Sequence, residues 1–559
     1  MQRKKIAGII LMITMIIGMC GCGAANTEQE SAVNDSLITG SVEVPDDTGN
    51  TVVGEEQGNE ASGEQEASHD DSGSGIELLH PVIYESYKSL SSDNYQQILN
   101  VKWCEVELNE EEGSKYPELA ESLRQENLKH VETATASYEQ NVEDARAFQE
   151  ISDAAYYGGF ADETVASVAR ADSNVFSVKH YYYGYYGGAH GFYSYTGQNY
   201  DTATGKLLTL SDVITDTERL GKILEEKLFQ YYEDNLDREY FESSFQGYLS
   251  GEYSYDWLMD YTGVTFYFNP YSIAPYAAGM MSVTVGYEEY PGLIVSKYTK
   301  LPTSYVFEMD DYGSAFCDID GDGSAEEIRV YGDMNEYGEY EKRTININGK
   351  ETVFEVFYFS ADIYLVKNED DRYFLYSFNG TYNDYVFLQV YEITGGTPRM
   401  VLEARNLRIA SLLGDYSYNE EEYVSTGKEK KYSFTDVTGV VLESRIDALS
   451  TTSGSDRYHI NEDGLPEGEN GYYTLGSEIF FTTLVDLEMT EVDEKGNSGA
   501  AIAVPKGSRV RYYRTDGETW ADFLLEGGRI GRVQIETQWP QSVNGMELES
   551  VFDGTFFAG

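Results

Sequence analysis

Beyond Lys300 the chain is written in short apolar runs separated by turn residues, and this pattern restricts the fold more than any other feature. "EIRVYGDM", "RTININGK", "TVFEVFYFS", "DIYLVKN", "RYFLYSF" and "YVFLQVYEITGG" follow at close, even spacing. Each is rich in the β-branched and aromatic residues that pack on a pleated surface. No helical periodicity interrupts them, so the pattern predicts an all-β C-terminal region, sandwich or propeller-like. After the turn-rich break "STTSGSDRYHINEDGLPEGENG", the run "AVPKGSRVRYYRTDGETWADFLLEGGRIGRVQIE" has the entry and hairpin turns of an SH3-like barrel.

Before Lys300 the pattern is mixed. "HPVIYESYKSL" and "LNVKWCEVEL" read as strands. The stretch "YPELAESLRQENLKHVETATASYEQNVEDARAFQ" reads as a helix, with Leu119, Leu123, Leu128 and Val131 at helical spacing. Strand patterns return from Val165 to Tyr200. A second helix in "DTERLGKILEEKLFQYYEDN" opens on a cap at Asp216 and aligns Leu220, Ile223, Leu224 and Leu228. Strands with segregated helices predict an α+β domain.

The first residues carry a different message. "MQRKK" followed by "IAGIILMITMIIGM" and then "CGCG" has the charged start, apolar core and cysteine of a bacterial lipoprotein signal peptide. Cys22, preceded by the small Gly21, is the expected lipidation site. From Ala24 to Gly75 there is no Lys, Arg or aromatic residue, so this tract cannot bury enough apolar surface to offset chain entropy and is expected to be an acidic disordered tether. The expected organisation is therefore a signal peptide at 1–22, the tether at 23–75, the α+β domain at 76–298, a β-rich region at 299–455 and a β-rich, SH3-like domain at 456–559. The expected location is the outer face of the membrane, lipid-anchored, in a Gram-positive envelope.

Asp and Glu number 97 against 39 Lys and Arg, a net charge of -58. Such a surface repels phosphate backbones, which argues against nucleic-acid binding and favours a basic partner. Apart from Cys20 and Cys22 only Cys104 and Cys317 remain, too few to define a disulfide framework, and whether they pair is open.

Two stretches suggest sites. In "CDIDGDGSAEEIRV", Asp318, Asp320 and Asp322 occupy positions one, three and five of a loop, and Gly323 allows the bend at six. Ser324 can offer a carbonyl at seven and Glu326 a carboxylate at nine, a shell suited to Ca2+. Position twelve is Arg329 where an EF-hand needs Glu, so the loop instead resembles the DxDxDG loops of dockerin and FG-GAP-type repeats. In "HYYYGYYGGAHGFYSY", His190 sits in a glycine-rich turn between tyrosine-rich strands. "FNPYSIAPYAAG" adds Tyr271 and Tyr276 on a loop fixed by two prolines. Together these three form a candidate recognition loop, because tyrosine on a rigid turn offers contact area at small entropic cost. Hydrolase and nucleotide motifs are missing, the histidines show no pair at metal-ligand spacing, and no catalytic residue can be chosen among so many carboxylates.

The motifs GGAHG, "NYDTATGKLLTLSD" and "FYFNPYSIAPYAAG", with the preceding "YPELAESLRQENLKH" helix, closely resemble the extracellular domain of the anti-sigma factor RsiV. The same module precedes the catalytic domain of the peptidoglycan deacetylase PdaC. The resemblance runs from about His80 to Tyr290 and implies binding of lysozyme or wall polymer. Sigma-factor control does not carry over, because the expected lipid anchor leaves no cytoplasmic domain to hold a sigma factor, and deacetylation does not, because the chain carries no TFDDG-type metal motif. A non-enzymatic surface lipoprotein that binds a lysozyme-like basic protein or peptidoglycan is therefore expected. The rival expectation is a cell-wall-active hydrolase, or a deacetylase-associated protein, whose catalytic residues the sequence does not single out.

Overall fold

The computed structural model describes residues 75–151, 159–310, 313–382 and 385–558. The second of two compact units spans Gly73–Gly559. The expected signal peptide, Cys22 and all of the expected tether except Gly75 lie outside the described residues. In the second unit the chain first lays down β1 (Val82–Ser91), β2 (Gln97–Glu107), α1 (Glu110–Lys115), α2 (Pro117–Ile151), β3 (Phe160–Ala171), β4 (Val175–Tyr185) and β5 (Phe192–Asp201). Next come α3 (Leu210–Val213), α4 (Thr217–Tyr232), α5 (Arg238–Ser250), β6 (Asp256–Met259), β7 (Gly263–Phe268) and β8 (Met281–Gly286).

β2 and β3 run parallel, a pairing that needs a long crossover, and α2 lies between them in sequence. The helix buries Leu119, Leu123, Asn127, Ala134, Tyr138 and Ala145 along one side. Leu128 was expected on this face but is 46% exposed. It falls half a turn from Leu119 on a 3.6-residue helix, and the buried stripe passes through the polar Asn127 instead. α4 behaves as the spacing predicts: the Asp216 side chain accepts from the Arg219 N–H at 2.9 Å, and Leu220, Ile223, Leu224 and Leu228 are buried. These residues pack with β6, β7 and β8 in one apolar cluster. Both faces of β7 and β8 are buried. β5 approaches β6 so closely that a Cβ on Gly197 would stand 2.0 Å from the Trp257 carbonyl oxygen, which only glycine permits.

The β-rich region supplies β9 (Tyr305–Met309), β10 (Ser314–Cys317), β11 (Glu326–Tyr331), β12 (Tyr340–Ile347), β13 (Lys350–Tyr358), β14 (Ser360–Lys367), β15 (Tyr373–Gly380), β16 (Val386–Glu392) and β17 (Arg399–Arg405). They form an antiparallel four-stranded sheet, β10-β11-β12-β13, and a five-stranded one, β17-β16-β15-β14-β9. The chain then returns through β18 (Leu407–Ile409), β19 (Ser411–Asn419) and β20 (Val424–Tyr432). β20 pairs with β1 from Leu90↔Val424 to Val82↔Tyr432. The first sheet thereby becomes seven-stranded, β19-β20-β1-β2-β3-β4-β5.

The remaining strands form a 13-stranded sheet that reaches from Leu407–Ile409 to the edge strand Ser498–Val504. The expected SH3-like barrel is corrected by this arrangement. The terminal hairpins pair onward to Val440–Ile446 and Thr452–Ile460, and no closed barrel occurs among the described residues. The fold is β-rich with a small helical part. Among the described residues no helix is long and apolar enough to cross a membrane.

Two buried links tie the first region to the second. Arg170, fully buried, donates to Asp172, to the Tyr287 hydroxyl and to the carbonyls of Tyr298 and Lys300. Lys179 bonds Asp310 at 2.6 Å, and the Tyr267 hydroxyl donates to the other oxygen of the same carboxylate.

Candidate functional site

His190 sits in the turn between β4 and β5, and the loop from Phe268 to Gly279 comes up beside it. The Tyr276 ring stacks on the imidazole with centroids 4.0 Å apart. The Tyr276 hydroxyl and His190 Nδ1 both donate to the Gly191 carbonyl, at 2.7 and 2.8 Å. Tyr271 stands 5.5 Å from Tyr276, is 52% exposed and holds a backbone φ of 72°. Its carbonyl accepts from the Tyr240 hydroxyl. The structure thus brings His190, Tyr271 and Tyr276 together. Tyr193 continues the patch 6.0 Å from Tyr276, and Tyr181, Tyr195 and Tyr267 carry the ring contacts inward. Among the described residues no carboxylate is hydrogen-bonded to His190, so the arrangement is an aromatic platform rather than an acid–base pair.

The acidic loop is the turn of the β10–β11 hairpin, closed at its base where Cys317 pairs with Glu326. Carboxylate oxygens of Asp318, Asp320 and Glu326 lie within 4.8 Å of one another. Backbone amides point into them: Gly321 and Asp322 donate to one Asp318 oxygen, Gly323 to the other, and Ile319 to Glu326. Gly323 adopts a φ of 88°, as the bend requires. Asp322 accepts from the Ser324 N–H at 2.8 Å and is not one of the convergent three, and Ser324 is exposed. Burial, and then the charges of Asp320, Asp322 and Asp318, push the Glu326 carboxyl above its usual range. Three oxygens from three carboxylates suit a hard cation.

A second cluster was not anticipated. Cys104 on β2, His130 on α2 and His180 on β4 each place one metal-ligating atom within 4.8 Å of the others. His130 Nδ1 lies 3.8 Å from Cys104 Sγ and donates to the Cys104 carbonyl at 2.9 Å. The two imidazoles meet edge to face, with centroids 5.0 Å apart. Burial holds His180 down to about 4 and pushes the Cys104 thiol up to about 12. Cys104 and Cys317 are both free and buried. The sequence signal for this cluster was a histidine on the apolar stripe of α2, where Leu would be the ordinary choice.

A further histidine, His80, bridges two carboxylates. Nδ1 is 2.7 Å from Glu112 and Nε2 is 2.7 Å from Asp436. Hydrogen bonds to Asp436 and then Glu112 raise it to about 10.

Residues 211–288 match DUF3298, a family described as proteins of unknown function. The match takes in α4, α5 and β6 to β8, and includes Tyr271 and Tyr276 but not His190. Among solved structures, a DUF3298 family member from Bacteroides fragilis NCTC 9343 is similar at 18% identity, covering 39% of this chain and 96% of its own, with a TM-score of 0.30. A DUF3298 family protein from Pseudomonas aeruginosa PAO1 is similar at 19% identity, covering 40% and 97%, with a TM-score of 0.29. No curated protein matches the chain.

Proposed function

We propose that this chain is a non-enzymatic binding lipoprotein of the cell surface, and that the platform of Tyr271, Tyr276 and His190 is its contact for a lysozyme-like basic protein or cell-wall glycan. The observation that carries this is the platform itself: the exposed Tyr271 and His190 rings beside a half-buried Tyr276, with His190 and Tyr276 held by stacking and by hydrogen bonds to one carbonyl, so that little freedom is lost on binding. The RsiV-like motifs agree with it. The charge of -58 adds long-range attraction for a cation. In this proposal Cys22 carries the lipid, the acidic tract spaces the folded unit from the membrane, and Ca2+ staples the hairpin through Asp318, Asp320 and Glu326.

Calorimetry with lysozyme tests the platform, using the chain without residues 24–75 in moderate and high salt. A close interface outlasts salt whereas diffuse attraction is screened within about 8 Å at physiological ionic strength. Saturable binding that survives salt, is absent from a basic non-lysozyme control and falls more than tenfold in Tyr271→Ala with Tyr276→Ala supports the proposal. Equal binding of the control, or indifference to both substitutions, refutes it. Turnover of purified peptidoglycan would instead establish the hydrolase alternative. For the anchor, Cys22→Ser should accumulate unprocessed precursor while Cys20→Ser is processed normally, as read by metabolic lipid labelling.

A further inference from the structure

The cluster beneath α2 has an ordinary structural explanation that accounts for only part of it. The β2–β3 pairing covers Leu99 to Lys102 and stops there, so the backbone of β2 beyond it needs other partners on that side. α2 supplies them. Asn127 donates to the Val106 carbonyl and accepts from the Val106 N–H, at 3.0 and 2.9 Å. One helical turn on, His130 Nδ1 donates to the Cys104 carbonyl. His130 is thereby accounted for as an edge cap. His180 is not: it is 6% exposed, and among the described residues neither of its ring nitrogens has a hydrogen-bond partner. A largely buried imidazole commonly finds one. What stands beside it is a second imidazole and a thiol.

We propose that Cys104, His130 and His180 bind a divalent metal ion of the zinc class between the first sheet and α2. One sulfur and two imidazole nitrogens from three rigid elements form the donor set of borderline-soft ions, and exclude magnesium or calcium, which take oxygen. The bond from His130 Nδ1 to a backbone carbonyl is the kind of outer partner that histidines binding metal through Nε2 commonly have. Glu126 Oε1 lies 3.8 Å from His130 Nε2 and accepts from Gln198. The register supports the convergence: β3 separates β2 from β4 and pairs the small Ala166 with His180. Binding forms a metal–sulfur bond and releases the Cys104 thiol proton to solvent.

The test uses the full chain with Cys20, Cys22 and Cys317 all replaced by Ser, so that Cys104 is the one thiol, in excess calcium to fill oxygen sites. Titration with cobalt(II) should give a thiolate-to-metal charge-transfer band that saturates at one equivalent and is bleached by zinc(II). His180→Ala should weaken zinc binding more than tenfold, since even outer partners are worth ten- to a hundredfold. Absence of the charge-transfer band from this single-thiol chain overturns the proposal without reference to any ligand variant. Unchanged zinc affinity in a folded His180→Ala chain also overturns it.

Discussion

The acidic hairpin and the Cys-His pocket are the two cation sites proposed above, and they are built in opposite ways. The hairpin draws its donors from Asp318 to Glu326, and its own amides already hold the carboxylates in place. It is exposed at Asp320 and buried only at Glu326. The pocket draws one donor each from β2, α2 and β4, and nothing local positions them; sheet register and the seating of α2 do so. A site made locally can change its occupant without disturbing the fold, whereas a site made by tertiary structure reports on whatever holds the elements together.

The largest effect expected from this contrast is at the hairpin. Calcium at a hundredfold excess over Kd should stabilise the chain by about 2.7 kcal/mol if it binds only the folded state. The Tm should rise with calcium and fall with chelator, and the pair Asp320→Ala, Asp322→Ala should abolish the shift. A full shift in that variant would remove the hairpin from the comparison. Next comes Asn127→Ala, which leaves the Val106 N–H and carbonyl unpaired beside the pocket. It should cost about 2 kcal/mol with no metal present, read as a lower urea midpoint at unchanged m; a neutral result would mean that α2 is not what fixes the pocket.

His80 sharpens the contrast through pH. Its folded value is raised from 6.5 to about 10, so its contribution is full below the unfolded value and is lost as pH rises through the folded one. His80→Gln should therefore lower the Tm near pH 6 and make little difference above about pH 10. A gap that widens with pH would contradict the bridge to Glu112 and Asp436. The smallest effect belongs to Ser324→Ala. Only its carbonyl was expected to serve the ion, so calcium affinity and stability should change by no more than about 0.5 kcal/mol.

How much could be read in the sequence follows the same division. The cap at Asp216 and the buried face of α4 are local patterns that the structure places as spacing predicts, while the hairpin loop brings together Asp318, Asp320 and Glu326 but not Asp322. The strands after Lys300 were legible individually for the same reason. Their closure was not, because barrel or open sheet depends on which edge each hairpin meets. The pocket was hard to see, despite His130 on the buried stripe, because its residues meet only through the β2–α2–β3 crossover together with the pairing of β3 and β4. Leu128 shows the limit within a single helix: with Asn127 and His130 on the buried stripe, hydrophobicity alone points to the wrong side. Tyr271 and Tyr276 share one loop, but His190 lies far from them in sequence, and nothing in their own patterns required the stacking now seen.

The return of β20 to β1 determines when the first sheet can exist. As the chain emerges from its N-terminus, β1 is made early and finds β2 at once, yet its other edge stays bare until residue 432 is available. Loop closure over such a span is slow compared with hairpin formation, and a bare edge is a template for pairing with another chain. Nascent chains that stop anywhere between β8 and β19 would expose that edge permanently. The second half of the protein thus supplies the strand that covers this edge.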